Sequence, residues 1–343
     1  MKRADVVGLI RAHCDENNAE FNLIAQGIAQ EFEKDGAYEL SAYIMSLISQ
    51  TRTFIPQDFE EAHKYLQPVP IGNSPLPLPE CIANDLRGII NAISKCMGIT
   101  TFLFQGSPGT GKTESAKQIA RILRRKLLVV DFNAVIDSHL GETSKNIAAL
   151  FEEINSVGST AIVLFDEIDA LALDRVNQND VREMGRATST LLRELDRLDD
   201  NVVLIATTNL YSQLDRALIR RFSTTVDFNR YSHEDLEEVG VSILRQFASR
   251  FEFVRSDERL FKRILHCTPT LPYPGELSNI IKSCIAFGDS NNPYDYLRRL
   301  FATLNPEVKL IPRELRSRNF TLREIEILTG IPRSTVSRML QEA

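Results

Sequence analysis

One stretch constrains this chain more than any other. Thr101–Phe104 is a short apolar run; Gly106-Ser107-Pro108-Gly109-Thr110-Gly111-Lys112-Thr113 follows it, and an amphipathic segment continues from there towards Arg124. The eight residues fit the pattern GxxxxGK[ST], placed where a strand would turn into a helix. Strand, glycine-rich loop and helix in that order commit the region to a sheet with helical crossovers. The glycines let backbone N–H groups converge on phosphate oxygens, and the helix N-terminus adds positive potential. Lys112 can reach the β and γ phosphates, and the Thr113 hydroxyl can ligate Mg²⁺. The segment from Gly106 to Glu114 is therefore the expected nucleotide-binding segment.

The surrounding pattern agrees. Further short apolar runs, Leu127–Asp131, Ala161–Phe165, Val202–Ala206 and Thr225–Phe228, alternate with segments long enough for helices. Such alternation predicts an α/β fold: a five-stranded parallel sheet with right-handed crossovers and helices on both faces. Ile162-Val163-Leu164-Phe165-Asp166-Glu167 ends a buried strand in two carboxylates. Ligands bind outside the carboxyl ends of such strands, so both acids should face the phosphates. Asp166 is placed to hold Mg²⁺, directly or through water, and Glu167 to orient and polarise an attacking water. Asp169 reads as an ordinary acid at a helix start. Val202–Thr208 is another buried strand, ending at Asn209, which can bond the γ-phosphate or that water. Eleven residues on, Arg220 and Arg221 end a short helix, and an arginine from a neighbouring subunit can stabilise charge on the γ oxygens.

Phosphate loop, FDEID, TTN and ALIRRF, in this order and spacing, resemble the AAA+ ATPases, specifically the AAA clade proper. The resemblance covers about residues 80–300. It implies a three-layer αβα nucleotide domain, a helical lid, ATP and Mg²⁺ as ligands, and a hexameric ring of identical subunits with ATP at their interfaces. By motif position Lys112 and Thr113 are Walker A, Asp166 and Glu167 Walker B, Asn209 sensor 1, and Arg220 and Arg221 the trans-acting fingers. The lid helix begins Pro274-Gly275-Glu276-Leu277, without the sensor arginine many related clades carry. Ser138-His139-Leu140-Gly141-Glu142-Thr143 resembles the family's pore loop, which grips a polypeptide in the central channel. Here His139 stands where an aromatic is common, with Leu140 and Gly141 beside it; the alternative is a helix-entry loop with no substrate contact.

The flanks differ in character. Residues 1–67 form an expected helical N-terminal domain, with apolar stripes at near-helical spacing and breaks at Asn17–Asn18 and Asp35–Gly36. Six Lys/Arg against eleven Asp/Glu give this region −5 of the chain's net −6. Five prolines between Pro68 and Pro79 predict a stiff linker over 68–80, followed by a nucleotide domain over 81–229 and a lid over 230–302. The tail, 303–343, reads as a separate unit of helix, turn and helix, with Arg333, Ser334, Thr335, Ser337 and Arg338 facing outward. That pattern resembles helix-turn-helix regulators and makes DNA a partner to test, beside a docking or supporting role. Its seven Lys/Arg against five Asp/Glu leave +2, a weak footprint for phosphate contacts. A protein client is the other expected partner. The layout of helical N-domain before AAA module resembles bacterial ATPases encoded beside subtilisin-like proteases in anti-phage systems. Five cysteines without a CxxC pair read as reduced, mostly buried thiols, and no apolar stretch reaches membrane-spanning length, so a cytoplasmic protein is expected.

Overall fold

The computed structural model describes residues 7–11, 18–34, 36–49, 63–72, 77–136, 142–171, 181–249, 251, 255–289 and 292–341. They fall into two compact units, divided between His63 and Lys64. In the first, α1 (Asn18–Lys34) and α2 (Tyr38–Ser49) are joined by a turn in which the Ala37 N–H donates to the Phe32 carbonyl. Helix α1 buries Ala25, Ile28 and Ala29, one face at helical spacing.

The second unit is built on a sheet. Its strands are β1 (Leu66–Pro68), β2 (Thr101–Gln105), β3 (Lys126–Val130), β4 (Ala161–Phe165), β5 (Val203–Thr208) and β6 (Thr224–Asp227), in spatial order β1-β3-β4-β5-β2-β6. Five are parallel, as the alternation predicts, with ends shifted by one or two residues. The sixth is a correction to the five-strand expectation: β1 pairs antiparallel with β3 at the edge, Leu66 opposite Val130. Pro68 lies in that strand, and the Val69 N–H continues the contact to the Leu127 carbonyl. An edge position tolerates proline because no ladder bond is lost on the solvent side. The start of the proline-rich stretch is thus part of the sheet.

Alternation of side chains along each strand divides the core into two layers. On one face Leu103, Val163, Phe165 and Leu204 pack with Ile147, Leu150 and Phe151 of α5 (Glu142–Val157) and Leu191 of α6 (Val181–Leu195). On the other, Phe102, Phe104, Ile162 and Ile205 pack with α3 (Glu80–Ser94) and α4 (Lys112–Leu123) through Ile82, Leu86, Ala116 and Ile119. The result is the three-layer αβα arrangement.

Beyond the sheet come α7 (His233–Ala248), α8 (Glu258–His266), α9 (Pro274–Ala286) and α10 (Asp295–Leu304), the lid, then α11 (Pro312–Ser317), α12 (Leu322–Thr329) and α13 (Arg333–Gln341). The tail is not separate from the lid. Leu315, Phe320, Ile325, Leu328 and Val336 share one buried cluster with Leu260, Leu300 and Phe301. Phe320 meets Phe301 edge-on at 5.8 Å, and Arg263 of α8 donates to the buried Glu324 carboxylate at 3.0 Å. Two of the four described cysteines, Cys81 and Cys96, are exposed, against the expectation of mostly buried thiols. Among the described residues no helix is long and apolar enough to cross a membrane.

Candidate nucleotide site

The carboxyl ends of β4, β5 and β2 lie side by side, Phe165 opposite Ala206 and Gln105 opposite Thr208. The loops leaving those three ends therefore meet. Gly111 precedes α4 with φ 94°, a backbone region that a β-carbon strains, which is why glycine stands immediately before the lysine. The amides of Gly109, Thr110, Gly111, Lys112 and Thr113 find no acceptor among the described residues. Unpaired donors converging at a helix start fit an anionic oxygen cluster. Ser107 and Thr110 hold the loop instead: the Ser107 N–H donates to Asn229 Oδ1 at 2.8 Å, and the Thr110 hydroxyl to the Ser107 carbonyl at 2.8 Å.

Lys112 is buried, and its ammonium donates to the Gly106 carbonyl at 2.7 Å, the Ser107 carbonyl at 2.9 Å and Asn209 Oδ1 at 2.8 Å. Burial lowers its pKa from the ordinary lysine value, against the pull of Asp166, Asp169 and Glu167. The Thr113 and Thr207 hydroxyls both donate to Asp166 Oδ1, at 2.9 and 2.7 Å. The Glu167 N–H in turn donates to Thr207 Oγ1 at 2.8 Å, and the Asn209 amide donates to Glu167 Oε1 at 3.3 Å. Asn209 therefore links the phosphate-loop lysine to the second acid. Glu167 sits at φ 54°, an uncommon conformation for a residue with a side chain, and such strain concentrates at functional sites.

Asp169 has a role its sequence position did not announce. It is buried, accepting the Thr208 hydroxyl and, at 2.8 Å, the Asn209 N–H. It anchors the end of β5 and so aims Asn209; the acid three residues after Asp166 was the available signal.

The lid closes the site into a cleft of about 530 Å³, lined by Lys112, Thr113, Asp166, Glu167 and Asn209 below and by lid residues above. Besides Pro274 and Gly275, the lid contributes Val239, Ile243, Gln246, Ser278 and Lys282, and the proline-rich stretch contributes Pro77. Sequence reasoning missed all six, because nothing local marks a residue that a distant helix will bring in. Lid and loop touch directly. The Gly275 N–H donates to the Gly109 carbonyl at 2.8 Å, and a β-carbon on Gly275 would lie 2.8 Å from Gly109 Cα. The Tyr231 hydroxyl donates to the Thr110 carbonyl at 2.9 Å, and burial pushes its pKa up.

Arg220 and Arg221 lie elsewhere. The Arg221 carbonyl accepts the Thr101 hydroxyl at the amino end of β2, whereas the phosphate loop leaves its carboxyl end. The four residue-to-residue steps from Thr101 to Gln105 separate those ends by about 13 Å, more than an arginine side chain spans. Arg221 is gripped by Asp196 through two nitrogens, each at 3.0 Å. The Arg220 backbone N–H donates to the Arg216 carbonyl, but the residue is exposed and its guanidinium has no partner among the described residues. The expected pore residues His139, Leu140 and Gly141 lie outside the described residues. In the tail, Arg333, Ser334 and Arg338 are exposed and Thr335 and Ser337 half-buried; the Arg333 guanidinium faces Glu326 at 3.6 Å.

Residues 102–230 match the family described as "ATPase family associated with various cellular activities (AAA)". The chain is 30% identical to the uncharacterized AAA family ATPase y4kL of Sinorhizobium fredii over 241 residues, 62% of this chain and 69% of that protein. It is 29% identical to the cell division cycle protein 48 homolog of Archaeoglobus fulgidus over 54% of this chain and 27% of that one. Relatives from two Methanothermobacter species share 35% and 37% identity, and the chain spans only about a third of their length, 36% and 34%. In fold, a chain of the solved E. coli MS115-1 HORMA:CdnC:Trip13 complex aligns with a TM-score of 0.53 at 18% identity, over 68% of this chain and 89% of that one.

Proposed function

Because the chain belongs to the AAA family of ATPases, enzymes that hydrolyse ATP, we propose that it is a Mg²⁺-dependent ATPase that assembles into a ring and uses hydrolysis to remodel a partner protein. The observation that carries this is the linked set Lys112–Asn209–Glu167 beside Thr113–Asp166, under a lid that touches the loop. The free amides from Gly109 to Thr113 receive the phosphate oxygens, and Lys112 transfers its bonds from loop carbonyls to them. Thr113 and Asp166 would hold Mg²⁺, which when bound would neutralise charge on the phosphates. Glu167 polarises the attacking water, and Asn209 positions it by bridging towards Lys112. Lys112→Ala should lose ATP binding; unchanged affinity would remove the loop from this reading.

Ring assembly is supported by the placement of the arginines. Neither can serve its own chain's phosphates across the length of β2, and Arg220 points to no internal partner. Arg220 is thus the finger offered to a neighbour, and Arg221 holds the turn that carries it. Mixing Arg220→Ala subunits with Lys112→Ala subunits should restore hydrolysis, since one supplies an intact site and the other an intact finger. No recovery at high protein concentration would leave the arginine without a role in trans. The protein client, gripped by His139, Leu140 and Gly141, is the reading for the partner, with a protease encoded nearby as its most specific form. Adding that gene product should raise the ATPase rate if the pairing holds.

DNA binding by α13 is the second reading, favoured by the exposed Arg333, Ser334 and Arg338. Retention of duplex DNA at low salt, lost in Arg333→Ala/Arg338→Ala, would establish it; no retention by the intact protein would leave the tail as a support of the lid.

A further inference from the structure

Away from the nucleotide cleft, two lid helices meet through a cluster that hydrolysis does not use. His233 and Glu237 are one turn apart on α7, and His266 is the last residue of α8. His233 Nδ1 lies 3.1 Å from Glu237 Oε1, and His266 Nδ1 lies 2.9 Å from the same oxygen. All three donor atoms lie within 4.8 Å of one another.

A fourth contact makes the cluster informative. His233 Nε2 is 2.9 Å from the Thr268 carbonyl, which can only accept, so Nε2 carries the ring proton. Thr268 is buried and pinned: its N–H donates to the Leu265 carbonyl, its hydroxyl donates to the Ile264 carbonyl, and Asn305 donates to that hydroxyl. The neutral His233 ring therefore turns the lone pair of Nδ1 towards a carboxylate oxygen. Two electron-rich atoms at that distance repel unless a proton or a metal ion lies between them. A proton on Nδ1 would answer this one contact. His266 Nδ1 meets the same oxygen, so two imidazole nitrogens and a carboxylate converge on one point between the helices. An imidazole whose outer nitrogen donates to a fixed backbone carbonyl, with its inner nitrogen aimed at a carboxylate and another imidazole, is arranged as metal-binding histidines are.

We propose that His233 Nδ1, Glu237 and His266 Nδ1 bind a divalent transition metal, zinc by preference, that staples α7 to α8. Two imidazoles and one carboxylate suit zinc. Bonds of 2.0–2.1 Å in a tetrahedral site separate donors by about 3.3 Å, so the two spacings to Glu237 must open slightly and the two histidine nitrogens, within 4.8 Å of each other, must settle to that separation to admit the ion. His266 is the exposed ligand and leaves the remaining position to water.

The test is Co²⁺ titration of the full chain, followed by visible absorption, with displacement by Zn²⁺ and thermal unfolding in parallel. One equivalent should bind and give ligand-field bands without a thiolate charge-transfer band, which separates this site from the exposed cysteines Cys81 and Cys96. Zn²⁺ should raise the unfolding midpoint. Loss of an outer partner costs metal sites 10–100-fold in affinity, so His266→Ala and Glu237→Gln should each weaken binding by at least about tenfold. His266 is exposed, so its replacement leaves the core packed. A thiolate band, no saturable binding, or affinity unchanged from the parent protein in either variant would overturn the proposal.

Discussion

Glu167 shows how much one residue's setting matters. Its side chain is held by Asn209, its N–H by Thr207, and its backbone sits at a positive φ that only surrounding structure sustains. Glu167→Gln keeps the shape and removes the carboxylate proposed as the base, so ATP should still bind while turnover falls by about 10²–10⁴-fold, measured as steady-state phosphate release. The two arginines separate at the same scale. Arg221→Ala should lower the unfolding midpoint by releasing Asp196 and the turn, whereas Arg220→Ala should leave the midpoint unchanged and lose hydrolysis. Equal effects of both variants on thermal unfolding would contradict that division.

At the level of elements, the junction between α9 and the phosphate loop carries the most consequence. Pro274 starts the helix where a missing N–H is free of cost, and Gly275 then presses on Gly109 with no room for a β-carbon. Backbone meets backbone there, so neither side can yield by rotating a side chain. Gly275→Ala should push lid from loop, costing about 1–3 kcal/mol in denaturant unfolding and weakening ATP affinity together. The strand–loop–helix at 101–123 was legible in the sequence because its signals are local: an apolar run, glycines at required turns, and a lysine one residue into the helix. Strand β1 was not legible as such. Leu66 and Gln67 read as the end of a helical domain and Pro68 as the start of a linker until β3 offers all three an edge.

Across the whole second unit, lid and tail are one packed body, and Glu324 ties them. Burial alone would raise its pKa, but the bonds from Thr321 and the ion pair with Arg263 outweigh that and hold it below the ordinary glutamate value of 4.5. A depressed carboxylate contributes stability that is complete above the unfolded value and is lost as pH falls through the folded one. Acid should therefore loosen the tail below about pH 4.5, and Glu324→Gln should flatten that part of the stability profile while costing about 1–3 kcal/mol near neutrality. Phe320→Ala should cost about 3–5 kcal/mol in chemical unfolding if the core is shared, far more than a separate tail would transmit to the lid.

The chain's sequence by itself determined the phosphate loop, the acids at the end of β4, Asn209, the parallel sheet and the helical runs, because each rests on short-range periodicity or on residue types that one chemistry requires. Even Asp169 stood in the motif, though its neighbours gave it the blander reading of a helix-start acid. Only the tertiary structure decided that Asp169 aims Asn209, that Arg221 is tied while Arg220 is exposed, that Gly275 seals against Gly109, and that the tail shares the lid's core. Those outcomes depend on pairs up to 166 residues apart, such as Gly109 and Gly275. Distance along the chain says nothing about them. Burial does, because polar groups removed from water must find partners wherever the fold supplies them.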